Sequence, residues 1–146
     1  MSKKGSINRF GNLGFENEWI LNYFDDMNYR PGNKKDGYLK NFLVDSGIIE
    51  KDMTEFGQFI KRSSLNTVLS WSLILCNMVY KPTFFWWVKH IHKNIEYSSD
   101  MIKQSLPEDI TEDVKKHIVS AFRVIFISNK ILGTDLNCGK CMCNDT

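Results

Sequence analysis

Asn66-Thr67-Val68-Leu69-Ser70-Trp71-Ser72-Leu73-Ile74-Leu75-Cys76-Asn77-Met78-Val79-Tyr80, followed by Lys81-Pro82-Thr83-Phe84-Phe85-Trp86-Trp87-Val88-Lys89-His90-Ile91-His92, is the stretch on which the fold turns. Val68, Leu69, Trp71, Leu73, Ile74, Leu75, Met78 and Val79 make its first half apolar on nearly every side, which predicts a helix buried in the middle of a helical domain. Lys81-Pro82 ends that helix, because proline cannot extend the hydrogen-bond ladder and restricts the residue before it. Thr83 to His92 then resumes as a short aromatic helix. Four consecutive aromatics, Phe84 to Trp87, cover all sides of such a helix, so at least two must point inward. Trp86 or Trp87 is the expected core residue, with one of the two a candidate for an interface.

Toward the N-terminus, Trp19, Ile20, Tyr23, Phe24 and Met27 form one apolar stripe from Glu16 onward, closed by turn chemistry over residues 28–33. A second helix is expected over Lys34–Asp45, with Tyr38, Leu39, Phe42 and Leu43 on its face and Gly47 in a left-handed C′ position. Thr54 is the expected N-cap of a helix carrying Phe56, Phe59 and Ile60. Helix, turn, helix, short extended piece, helix over 16–62 fits a winged-helix-like unit and equally a plain helical bundle. Residues 1–14, rich in Gly, Ser and Asn, read as a flexible or loosely packed lead-in.

Toward the C-terminus, Ser98 or Ser99 caps a helix with Met101, Ile102 and Leu106, closed by Pro107. Thr111 opens the last helix, whose stripe is Val114, Ile118, Ala121, Phe122, Ile125 and Phe126. Gly133 ends the regular region, and 134–146 is a loop-like, Cys-containing tail. The expected fold class is mainly α: one helical bundle domain over 15–133.

Composition sets the outer bounds. A chain of 146 residues, 42% hydrophobic and 25% charged, is one ordinary domain. Nineteen Lys+Arg against seventeen Asp+Glu exclude both intrinsic disorder and a strongly basic nucleic-acid arm. Residues 61–100 hold five basic and two acidic side chains, and also His90 and His92, so the middle is the one candidate basic surface. No apolar run approaches the ~20 residues a bilayer span needs. The basic start lacks an apolar core behind it, so the expectation is a cytoplasmic protein with no membrane partner.

Cys138-Gly139-Lys140-Cys141-Met142-Cys143 is a CxxC overlapping a CxC, the kind of knuckle that holds zinc or an iron–sulfur cluster. Cys138, Cys141 and Cys143 are the candidate ligands. Cys76, inside the most apolar helix, reads as a buried small hydrophobe. His117, His90, His92 or a second chain could complete the set, and a reduced loop without metal is the competing reading. On a helix His90 and His92 point roughly 200° apart and cannot chelate one ion together. With Lys81, Lys89 and Lys93, and with Lys34 and Lys35 of the second helix, they are candidate phosphate contacts; the competing reading is a solvated helix end. No Gly-rich phosphate loop, GxSxG or HExxH occurs, which points away from an enzyme.

As one string, residues 46–133 carry Ser46-Gly47-Ile48-Ile49, Thr54-Glu55-Phe56-Gly57, Trp71 to Tyr80, Trp86-Trp87, Tyr97-Ser98 and Lys116 to Phe122. This order resembles the helical C-terminal region of long phosphoadenosine-phosphosulfate-reductase-like proteins of bacteria. It is also similar to a domain that accompanies DNA-phosphorothioation and other phage-defence genes. The nucleotide-binding loop of the sulfotransferring members, Ser-Gly-Gly-x-Asp-Ser, does not occur here, so no catalytic residue carries over. The resemblance implies an accessory part in a defence or DNA-modification setting, with a partner that supplies the chemistry. The leading expectation is a non-enzymatic domain that contacts nucleic acid or docks on a partner complex. The alternatives are a small interaction protein from a mobile element, using exposed aromatics, and a zinc or iron–sulfur module.

Overall fold

The apolar stripes wind into seven α-helices in the computed structural model, which describes residues 7–92, 95–136 and 138. They are α1 (Asn17–Asp25), α2 (Lys34–Asp45), α3 (Glu55–Ser63), α4 (Val68–Met78), α5 (Pro82–His90), α6 (Ser99–Ser105) and α7 (Glu112–Phe122). Two π-helical segments, Arg123–Ser128 and Ile131–Asp135, continue from α7. The protein is mainly α, a helical bundle with no strand among the described residues.

Hydroxyl caps start four of these helices. Thr54, Thr67, Ser98 and Thr111 each accept a hydrogen bond from the backbone N–H three residues on, at Gly57, Ser70, Met101 and Val114. Each cap satisfies one of the N–H groups that a helix start leaves without an intrahelical partner. Over 16–62 the plain helical alternative is the one realised. The link between α2 and α3 forms a single antiparallel bridge, Ile49 to Met53, and no wing is present among the described residues. Gly47 takes φ +83°, the left-handed conformation expected of it, while the N–H groups of Ile48 and Ile49 both reach the Leu43 carbonyl.

A chain of rings crosses the core. Phe15 meets Phe42 at 4.4 Å between centroids, and Phe42 meets Trp71 at 5.9 Å. Phe15 also faces Phe84 at 6.3 Å, and Phe84 touches Phe126 at 4.9 Å. Trp87 stacks on Phe126 at 4.3 Å, and Trp86 stacks on Phe122 at 5.5 Å. Such pairs contribute about 0.5–1.5 kcal/mol each beyond their buried area. Both Trp86 and Trp87 are therefore core residues, and the rings of α5 meet Phe15 on one side and Phe122 and Phe126 on the other.

Three expectations are corrected. Residues 7–14 are not loosely packed: Phe10 is buried, Arg9 pairs with Asp45 inside the protein, Asn41 Nδ2 donates to the Arg9 carbonyl, and Thr83 Oγ1 donates to the Ile7 carbonyl. These partners lie 32 to 76 residues away, beyond the reach of a local composition reading. Helix α4 is not buried all round. Ser70, Trp71, Ile74 and Met78 face the core, while Val68 and Leu69 are about half exposed and Cys76 is exposed rather than a buried hydrophobe. Regular structure also does not stop at Gly133. A Cβ there would lie 2.2 Å from the Phe126 carbonyl oxygen, so the missing side chain lets the second π-helical segment close onto the first.

Candidate docking surface

On α4 the side away from Trp71, Ile74 and Met78 carries Leu69, Leu73 and Cys76, and Tyr80 follows at the same spacing just past the helix end. Steps of four, three and four residues keep all of them on one face. Leu69 is 55% exposed and Tyr80 83%. This helix is apolar on two opposite faces: the one with Trp71, Ile74 and Met78 is buried, and on the other Leu73 is partly buried while Leu69 is exposed.

The chain turns sharply after Val79. Lys81 is extended at the N-cap of α5, and Pro82 occupies the first turn, where its missing N–H costs no helical bond. Phe85 N donates to the Lys81 carbonyl at 2.8 Å. Thr83, Phe84, Trp86 and Trp87 then face the core, which leaves Phe85, Val88 and Lys89 facing out at i, i+3 and i+4. Two grooves meet at this corner. One, of about 320 Å³, is lined by Val79, Tyr80, Phe85, Val88 and Lys89. The other, of about 430 Å³, is lined by Ile7, Tyr80, Pro82, Phe85 and Trp86. Tyr80 and Phe85 belong to both, so the grooves form one apolar surface with two aromatic rings at its centre. The Lys89 ammonium sits 5.8 Å from the Phe85 ring centroid, a cation–π contact.

The basic residues singled out in the sequence are only partly brought together. Lys81 and Lys89 are exposed and stand one turn before and one turn after Phe85. Neither has an ion-pair partner among the described residues. His92 is exposed beyond the end of α5. His90 is half-buried. Its ring stacks on Trp86 at 4.5 Å, and its Nδ1 lies 3.0 Å from the Trp86 carbonyl, which can only accept, so Nδ1 donates there. His90 thus braces its own helix. Lys34 and Lys35 open α2, and the Lys35 ammonium lies 5.9 Å from the Trp19 ring of α1. Lys93 lies outside the described residues.

Of the three candidate cysteine ligands only Cys138 is described; Cys141 and Cys143 lie outside the described residues. The Cys138 carbonyl accepts a hydrogen bond from Trp87 Nε1 at 2.7 Å, which fixes the backbone there to the core. Among the described residues no three His, Cys, Asp or Glu side chains are grouped to hold a metal ion.

The densest cluster of charge, Asp100, Lys103, Glu112 and Lys115 between α6 and α7, is internally paired. Lys103 reaches Asp100 and Glu112 at 3.9 Å each, and Lys115 reaches Glu112 at 3.8 Å. With their carboxylates in water, such pairs contribute about 0–1 kcal/mol each, and the one between Lys103 and Glu112 ties α6 to α7.

What sequence reasoning missed was Tyr80, Phe85 and Val88 as one surface. The available signal was Phe85 bracketed by Lys81 and Lys89 at four-residue steps, which marks a water-facing side of an otherwise aromatic helix. Among the described residues no helix is long and apolar enough to cross a membrane. No family model, no curated protein and no solved structure matches this chain.

Proposed function

We propose that the chain is a non-enzymatic accessory binding domain that docks on a protein partner through the α4–α5 corner. Its setting is the bacterial defence or DNA-modification context implied by the sequence resemblance. The supporting observation is the joint exposure of Tyr80, Phe85 and Val88 over two adjoining grooves that share Tyr80 and Phe85. Isolated exposed apolar residues are ordinary, but a contiguous patch centred on aromatics is the usual anchor of an interface. The core rings behind it are interlocked, so the surface is held rigid before any partner arrives.

Nucleic acid is the second reading, favoured by Lys81 and Lys89 beside the exposed ring of Tyr80. Photo-crosslinking separates the two. A benzoylphenylalanine at position 85 should give discrete protein adducts in host cells, and the same group at the exposed Gln58 of α3 should not. Nucleic-acid adducts, together with steeply salt-dependent mobility shifts, would select the second reading. Equal adduct patterns from positions 85 and 58 would reject the corner as a docking surface.

A further inference from the structure

We infer that the segment taken by the α4–α5 corner is an acidic amphipathic helix of the partner protein. This rests on the docking reading above and adds the chemistry of the occupant.

The first support is charge. Between Glu55 and Glu96 the chain has no acidic side chain and five basic ones, and this stretch supplies nearly the whole docking surface. On the outer side of α5, Lys81, Phe85, Val88 and Lys89 follow one another at i, i+4, i+7 and i+8, two apolar residues between two cations. Lys81 and Lys89 have no ion-pair partner among the described residues, and the Lys89 charge is held beside the Phe85 ring. An occupant must bring apolar groups for the grooves and carboxylates for this rim. Complementary charge of that kind sets orientation and on-rate, while the apolar anchors supply most of the affinity.

The second support is shape. The described residues present no strand edge, so a partner cannot add by main-chain pairing at this surface. Two grooves on either side of the Tyr80–Phe85 pair suit side chains projecting from successive turns of one helix, the i, i+3, i+4, i+7 pattern of helix-in-groove recognition. A second copy docked face to face about a two-fold axis would set the lysines of one copy near those of the other, with no carboxylate from this stretch between them. A phosphate backbone would satisfy the lysines but leave Val79 and Val88 against a polar chain.

The test is peptide display. Random peptides about 16 residues long, enough for some four helical turns, are selected on the full chain and counter-selected on Phe85→Ser. The expected winners are net acidic, with apolar residues at helical spacing. In fluorescence polarisation they bind at least about tenfold more weakly to the Lys81→Glu/Lys89→Glu double variant and weaken as salt rises. Circular dichroism of each variant checks that these exposed substitutions leave the fold intact. Winners that are neutral or basic, or that ignore the double variant while still needing Phe85, overturn the acidic partner and leave docking standing. If no winner depends on Phe85, both fail. A sedimenting dimer dispersed by Phe85→Ser, or a single-stranded oligonucleotide that displaces every selected peptide, also overturns the inference.

Discussion

Arg9 grips Asp45 through two contacts, Nε to Oδ2 at 2.5 Å and Nη2 to Oδ1 at 2.8 Å, with both side chains buried. The pair closes a loop of 36 residues and fixes the N-terminal segment to the end of α2. Removing one partner leaves a buried charge without its counterion, which costs about 3–5 kcal/mol, whereas replacing both by apolar groups of like volume is far milder. Asp45→Ala should therefore lower the urea midpoint much more than the double variant Arg9→Met/Asp45→Leu. Equal losses in the two proteins would mean that the contact carries little of the attachment.

Thr54 has more to lose than the other hydroxyl caps. Besides accepting from Gly57 N at 3.0 Å, its Oγ1 lies 2.5 Å from the Gly47 carbonyl and 3.0 Å from that of Ile48. Its proton ties α3 to the turn after α2. The caps at Thr111 and Ser98 hold only their own helix starts. Substitution by alanine should cost about 0.5–2 kcal/mol at each cap, with Thr54→Ala at the upper end and Thr111→Ala at the lower. Chemical denaturation of the variants ranks them.

The helices and their caps were legible because they depend on local pattern. Lys34–Asp45 is realised to the residue, Thr54 and Thr111 cap as expected, and of the two serines offered it is Ser98 that caps. What escaped was decided by neighbours distant in sequence. Leu69 and Trp71 look alike in a hydropathy pattern, yet one faces water and the other the core, because the other helices cover a single face of α4. Arg9 and Phe10 sit among glycines and asparagines that suggest a loose segment; their partners on α2 could not be read locally. The candidate surface was half legible. The cations at Lys81 and Lys89 were found, but which of the aromatics between them faces water was left open by a run that covers every side of the helix.

Asn129 and Gly133 together hold the π-helical end of the chain. Asn129 Oδ1 accepts from Ile131 N at 3.1 Å and Leu132 N at 3.0 Å, while its Nδ2 donates to Asn17 Oδ1 at 3.1 Å. Gly133 N donates to the Asn129 carbonyl at 2.7 Å. Asn129→Ala strips the cap and the tie to α1 and should cost about 1–2 kcal/mol. Gly133→Ala drives a methyl into the Phe126 carbonyl and should cost about 1–3 kcal/mol. Thermal unfolding measures both. A neutral Gly133→Ala would show that the two π-helical segments separate without penalty.

Phe84 and Phe85 are adjacent in sequence and opposite in environment, one buried beside Phe15 and Phe126, the other 54% exposed. Phe84→Ala removes a ring from the centre of the core and should destabilise by about 3–5 kcal/mol. Phe85→Ser should stay within about 0.5 kcal/mol of the parent, as surface substitutions do. Cys76, exposed on the same apolar stripe as Tyr80, gives an independent readout: a thiol reagent should label it in the folded protein without denaturant. A partner seated on the corner should slow that labelling, and Phe85→Ser should restore it at fixed partner concentration. Labelling that needs unfolding would place α4 back inside the core and remove the surface on which the docking proposal stands.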